Sequence, residues 1–255
     1  MNMMSLAMLD AKRMDIDKAY QEEDWLKVKI ETLQVLNYAV VVFLNKFQDR
    51  ISSIILDEEH FDFNEQYLMS SKHHEDLLQW MNRLAHLKTP MDDAEFGKLK
   101  IDFENWFYKI GGKNIKFEYR DHYLLTPKEA ADMLNVSNVT VHKYLKNGLE
   151  CVDTRSHRKI PKHAVLLWKD PVYCILMQKI YHENKMRNQS PEERLNDIWK
   201  ELLDYQLKYG LTYGVDTLEK ARKLAESEEM DISEYYQWEA LIEEFEELKK
   251  KLKGN

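Results

Sequence analysis

The fold turns on one stretch: Leu125-Thr126-Pro127-Lys128-Glu129-Ala130-Ala131-Asp132-Met133-Leu134-Asn135-Val136-Ser137, running on through Asn138-Val139-Thr140-Val141-His142-Lys143-Tyr144-Leu145-Lys146-Asn147-Gly148. Thr126 can accept from the amides of a first helical turn, Pro127 has no amide to satisfy there, and Glu129 can reach back. That is a capping box with proline at the first helical position. The helix it opens is about two turns long and is expected to carry Ala130, Ala131, Met133 and Leu134 inward. Asn135 tolerates the positive φ of a sharp exit. Val136 follows as an apolar anchor, and Ser137 is a second N-cap. The spacing then predicts a helix over 138–147, with Val141 and Leu145 on one face and Gly148 at its C-terminal end.

Two short capped helices that share a small apolar core make a helix-turn-helix. The small alanines of the first helix let the second approach closely. The second helix leaves Asn138, Val139, His142, Lys143 and Lys146 outward. These side chains suit base edges and phosphates, and Val139 suits a thymine methyl. Downstream, 149–154 reads as a strand, Arg155-Ser156 as a turn and 157–160 as a return strand. This hairpin, tipped by Arg155, His157, Arg158 and Lys159, is a wing suited to the phosphate backbone. Pro161 opens a further short helix with Ala164, Val165, Leu167 and Trp168. Six basic and two acidic side chains lie between Lys143 and Lys162.

Over residues 120–170 the sequence resembles the excisionase-type helix-turn-helix, the small winged module related to the MerR regulators. The run 125–148, Arg158-Lys159-Ile160-Pro161-Lys162 and the Trp168 helix carry the likeness. It implies a winged helix-turn-helix whose second helix enters the DNA major groove and whose wing rests on the flanking backbone. The resulting candidate DNA-binding residues are Thr126, Ser137, Asn138, Val139, Thr140, His142, Lys143, Lys146, Arg155, His157, Arg158 and Lys159. The chain departs from the family at Asn135, often glycine, at Asn138, where an arginine is usual, and at Glu150-Cys151-Val152-Asp153, where the wing is usually more apolar and basic. A helix-turn-helix kept for packing or protein docking is the competing reading.

On the N-terminal side, 16–56 has an apolar periodicity of one or two long helices (Trp25, Val28, Leu33, Leu36, Val40, Phe43, Phe47). Such a helix serves as a core element or a dimer seam. Further helices are predicted at 64–88 and 92–109, the latter ended by Gly111-Gly112, and together they can close a small bundle. His73, His74 and His86 lack the spacing of a zinc-binding helix and read as solvated helix faces. On the C-terminal side, helices are predicted at 172–186, after the Ser190-Pro191-Glu192-Glu193 capping box through 207, from Thr217, and over 234–252. From Tyr209 onward the tail resembles the acidic tail segments of bacterial antitoxin-like proteins, which implies a partner-binding arm.

Composition agrees with this layout. The chain has 255 residues, 44% hydrophobic and 32% charged, which is a globular balance. Only 12 residues are glycine or proline, too few for the corners of a β-sandwich or barrel. The fold expected is mainly α, with a central winged helix-turn-helix and small β-hairpin wing at 119–170, between an N-terminal helical region at 1–118 and a C-terminal one at 171–255. Net charge is −8, but unevenly spread: −6 over 1–118, +3 over 119–170, and −7 over 190–255. A basic reader between acidic arms suits specific DNA binding, since the arms repel phosphate wherever the wing does not dock.

Cys151 and Cys174 make no disulfide framework and fit a reducing compartment. No basic-then-apolar leader pattern precedes Asp10, Asp15 and Asp17. The most apolar stretch, 35–44, is half a membrane span. No phosphate loop, Gly-x-Ser-x-Gly or Cys-x-x-Cys occurs, so no enzyme, cofactor or metal site is expected. The expectation is a cytoplasmic, nucleoid-associated protein that binds double-stranded DNA as a homodimer and regulates transcription, with no membrane partner. The alternatives are an antitoxin-like or assembly protein that binds its partner through the acidic arms, and an excisionase-like recombination accessory factor.

Overall fold

Asp24 separates the first two helices, α1 (Leu6–Gln21) and α2 (Trp25–Lys46), its carboxylate accepting from the Lys27 amide at 3.0 Å. The computed structural model describes residues 6–56, 61–153, 158–211 and 217–253. Along α2, Val28, Thr32, Val35, Leu36, Ala39 and Phe43 are buried at helical spacing. Its length and composition would suit a membrane span. Packing on α1, α4 (Ser71–Ala85) and β1 (Ile51–Leu56) accounts for that composition instead.

The helical pattern expected through residue 56 stops at Lys46. Residues Ile51–Leu56 form β1, antiparallel to β2 (Ile115–Tyr119), with Ile51 opposite Tyr119 and Leu56 opposite Ile115. Isoleucines at 51, 54 and 55 suit a pleated, half-buried surface. The helix expected at 64–88 is split into α3 (Glu65–Leu68) and α4, because Ser70 caps a new start by accepting from the His73 amide at 3.1 Å. α5 (Asp93–Lys109) is capped by Asp92. His73 corrects its sequence reading: it is fully buried beside Tyr20 and Thr32, and burial lowers its pKa to about 4. His74 pairs with Asp17 at 2.8 Å.

The core is aromatic, with rings of Phe47 and Phe96 4.8 Å apart and those of Phe43 and Phe103 5.1 Å apart. It runs without a break into the central segment, where Tyr123, Ala130, Val141, Leu145, Ile160, Ala164 and Leu167 join the same apolar cluster. Residue 118 is therefore no boundary in the packing. The chain divides instead into two units, Met1–Asn184 and Lys185–Asn255. Within the first, α8 (Lys162–Leu167) lies on α5 at Gly97, where a Cβ would come within 2.7 Å of both His163 Cβ and Leu167 Cδ1. Gly97→Ala is expected to cost about 1–3 kcal/mol through overpacking. Urea denaturation checks this, and a midpoint equal to the native one would show that α8 moves aside freely.

In the second unit, α10 (Pro191–Tyr209) begins with the Ser190/Glu193 capping box and ends at Gly210, whose φ is 63°. With α11 (Thr217–Glu226) and α12 (Ile232–Lys253) it closes a core of Ile198, Leu202, Ala221, Met230, Trp238 and Leu241. Arg194 binds both oxygens of Glu244 across this unit, at 2.7 and 2.5 Å.

Candidate nucleic-acid interface

Each element of the central segment starts and stops where a side chain satisfies the backbone. Thr126 accepts from the Glu129 amide at 3.3 Å, and Glu129 accepts from the Thr126 amide at 2.7 Å, which completes the capping box of α6 (Pro127–Leu134). Asn135 leaves α6 with φ 57° and ψ 47°, and the Val136 amide closes back on the Ala131 carbonyl at 3.0 Å. Lys169 Nζ donates to the Met133 carbonyl at 2.9 Å, a cation on the open C-terminal end of α6. Ala130, Ala131 and Leu134 are buried as expected, whereas Met133 is 41% exposed. At about 100° per residue the three buried positions fall in one arc, and Met133 lies about 60° outside it.

α7 (Asn138–Lys146) is capped by Ser137, which accepts from the Thr140 amide at 3.1 Å. Val141 and Leu145 seat it on the core. Asn138, Val139, His142, Lys143 and Lys146 are all exposed, with Val139 at 67%. This gives one continuous face that mixes amide, methyl, imidazole and ammonium groups. Thr140 is half-buried, and its hydroxyl hydrogen-bonds that of Ser137 at 2.9 Å. Like Thr126, these two residues already use their hydroxyls to hold helix starts. Past α7, Gly148 takes φ 102°, and a Cβ there would meet the Gln178 Cα of α9 (Pro171–Asn188) at 2.9 Å. Only glycine combines that φ with that approach.

The wing is a small sheet in which β5 (Arg158–Pro161) pairs antiparallel with both β3 (Leu124–Leu125) and β4 (Val152–Asp153). Ile160 anchors it in the core, opposite Leu125. Arg158 stands exposed opposite Asp153, and Lys159 pairs with Asp121 at 3.1 Å. That exposed pair is weak enough to exchange for a phosphate. Arg155 and His157 lie outside the described residues.

The sequence profile of the helix-turn-helix domain family matches residues 124–170. This segment is an excisionase-type helix-turn-helix domain. A helix-turn-helix domain of this type points to DNA binding in a regulatory or recombination role. No curated protein and no solved structure matches the chain.

The family departure at Glu150 has a structural cause. Glu150 turns inward from the root of the helix-turn-helix wing, where its Oε1 accepts from the Tyr119 hydroxyl at 2.6 Å. Its Oε2 meets Lys100 Nζ at 2.7 Å and His163 Nε2 at 3.2 Å. The Tyr123 hydroxyl lies 3.2 Å from His163 Nδ1, so an imidazole protonated on Nε2 satisfies both neighbours. Lys100 also pairs with Glu104 at 2.8 Å. Burial lowers the His163 pKa, whereas the Lys100 and His163 partners hold Glu150 well below the usual carboxylate range against the opposing effect of burial. Sequence reasoning missed this cluster. The available signal was Lys100 standing four residues from Phe96 and three from Phe103, on the apolar face of α5, with Glu104 four residues on.

Proposed function

We propose that the chain is a sequence-specific binder of double-stranded DNA, a transcription regulator that acts as a homodimer on the nucleoid. The observation that carries this reading is the exposed α7 face of Asn138, Val139, His142, Lys143 and Lys146, within the segment that matches the helix-turn-helix family. Arg158 and Lys159 extend it as backbone contacts, a role the sequence also assigns to Arg155 and His157. A single module of this kind buries only about 600–1,000 Å² on DNA, which favours two copies on two half-sites.

The test is selection from a random duplex pool at about 0.15 M salt, followed by sequencing of the retained DNA. An enriched, two-fold symmetric motif is expected, lost in the Lys143→Ala/Arg158→Ala double variant. Lys143→Ala alone is expected to weaken binding evenly across sequences and to lower the salt slope by about 1. Asn138→Ala should instead relax discrimination at one base pair by about 1–3 kcal/mol. Weak, motif-free, salt-sensitive retention would overturn the reading.

A second reading rests on the Lys185–Asn255 unit, which holds 12 basic and 17 acidic side chains and exposes Leu207 and Tyr236. It makes the chain an interaction protein of the antitoxin or assembly kind, with a basic protein partner. Charge reversal at Arg158 and Lys159 separates the two, because it abolishes function only if DNA is the target.

A further inference from the structure

A cavity of about 420 Å³ opens within the first unit, among β2, the connection from α7 to β4, and α9. That volume falls in the range of small-molecule sites. Phe117, Leu149, Met177 and Ile180 give it apolar walls, and Lys100, Glu104 and Glu150 line it as well. The charges do not balance. The single ammonium of Lys100, 2% exposed, serves both Glu104 and Glu150. Glu150 has Tyr119 and His163 in addition, while among the described residues the cation paired with Glu104 is Lys100 alone.

The surrounding groups do not supply the missing charge. Burial pushes the hydroxyls of Tyr108 and Tyr119 up and the imidazole of His163 down, so all three are neutral near pH 7. Lys116, on the cavity lining, pairs with Glu118 at 3.6 Å in solvent. With Glu104 ionised, the cluster therefore holds two carboxylates against one buried ammonium. An anion would meet that surplus head-on. A hard divalent cation would find too few oxygen donors beside an ammonium and an apolar wall.

We propose that this cavity binds a small organic monocation, an ammonium group on an apolar body, with the ammonium paired to Glu104 and the body against Phe117, Met177 and Ile180. Burial pushes Glu104 up to about 7 despite Lys100. The incoming cation therefore has to find this carboxyl ionised, and binding strengthens as pH rises. The site contains no part of the exposed α7 face.

The test is calorimetric titration of the full chain, without DNA, with phenethylammonium, its anionic counterpart 3-phenylpropionate and the neutral 2-phenylethanol. Because DNA is absent, this result and the DNA-binding reading can fail separately. Saturable binding is expected for the ammonium alone, tightening about tenfold between about pH 6 and about pH 8 as the competent, ionised fraction grows. Glu104→Gln should weaken it at least tenfold and remove the pH dependence. Cys151, also on the cavity lining, gives a second measurement that needs no change at Glu104. In a Cys174→Ala chain, phenethylammonium should slow maleimide labelling of Cys151, and 3-phenylpropionate should not. Equal binding of the anion, undiminished binding by the Glu104→Gln chain, or no saturable binding would each overturn the proposal.

Discussion

Lys100→Met is expected to destabilise the Met1–Asn184 unit by about 3 kcal/mol, because it strands two partly buried carboxylates on the cavity wall without their cation. The loss should depend on pH. Without Lys100 the Glu104 carboxyl, already raised by burial, moves further above its unfolded value near 4.3, and a group so shifted penalises the fold only when ionised. The deficit is therefore largest at about pH 8 and shrinks as pH falls toward about 5.

In the native chain the two carboxyls have opposite signs. Glu150 is held low, so its contribution is full above the unfolded carboxyl pKa and is lost as pH falls through the folded one. Glu104 is raised, so its penalty grows as pH climbs from the unfolded value through about 7. Urea denaturation followed by far-ultraviolet circular dichroism at several pH values measures both effects. Adding Glu104→Gln and Glu150→Gln to Lys100→Met should recover most of the loss, since no unpaired charge then remains. A single-variant deficit that is small and flat with pH would mean that water solvates the cluster.

Trp238→Ala should remove about 3–5 kcal/mol from the Lys185–Asn255 unit, the range for losing a large buried aromatic. Trp238 is fully buried, edge-on to Tyr205 with ring centroids 5.5 Å apart, in the cluster that includes Ile198, Leu202, Leu241 and Phe245. A unit of this size has about 4–10 kcal/mol in total. The substitution should therefore leave it largely unfolded on warming, with limited proteolysis clearing residues beyond 185 and sparing the first unit. Under the DNA-binding reading the enriched motif survives this change. Under the partner-binding reading, capture of the basic partner is lost while DNA retention is unaffected.

The helix-turn-helix was legible because its signals are local. Thr126, Pro127 and Glu129 mark one start, Asn135 one exit and Ser137 the next start, all within twelve residues whose backbone groups need partners on the spot. The pairing of β1 with β2 was not legible, since Ile51 finds its partner at Tyr119, far along the chain. The apolar pattern of α2 also runs on into that strand with no glycine or proline to interrupt it. Glu150 looked like a poor wing residue because its value lies in Lys100, fifty positions upstream. His73 was misread for a similar reason, as Tyr20 and Thr32 come from other helices.

The continuity of the core across residue 118 limits how this DNA reader can be transplanted. A fragment of residues 119–170 spliced into another protein would carry a bare Glu150 at the wing root and a naked α8 face where α5 belongs. A working graft has to include α5 with Gly97 and Lys100, and hence α2 and α4, whose Phe43 and Trp80 pack on Phe103 of α5. For this chain the smallest exchangeable cassette is the whole stretch from α1 to α9, and a cut at the edges of the recognisable motif divides one apolar core.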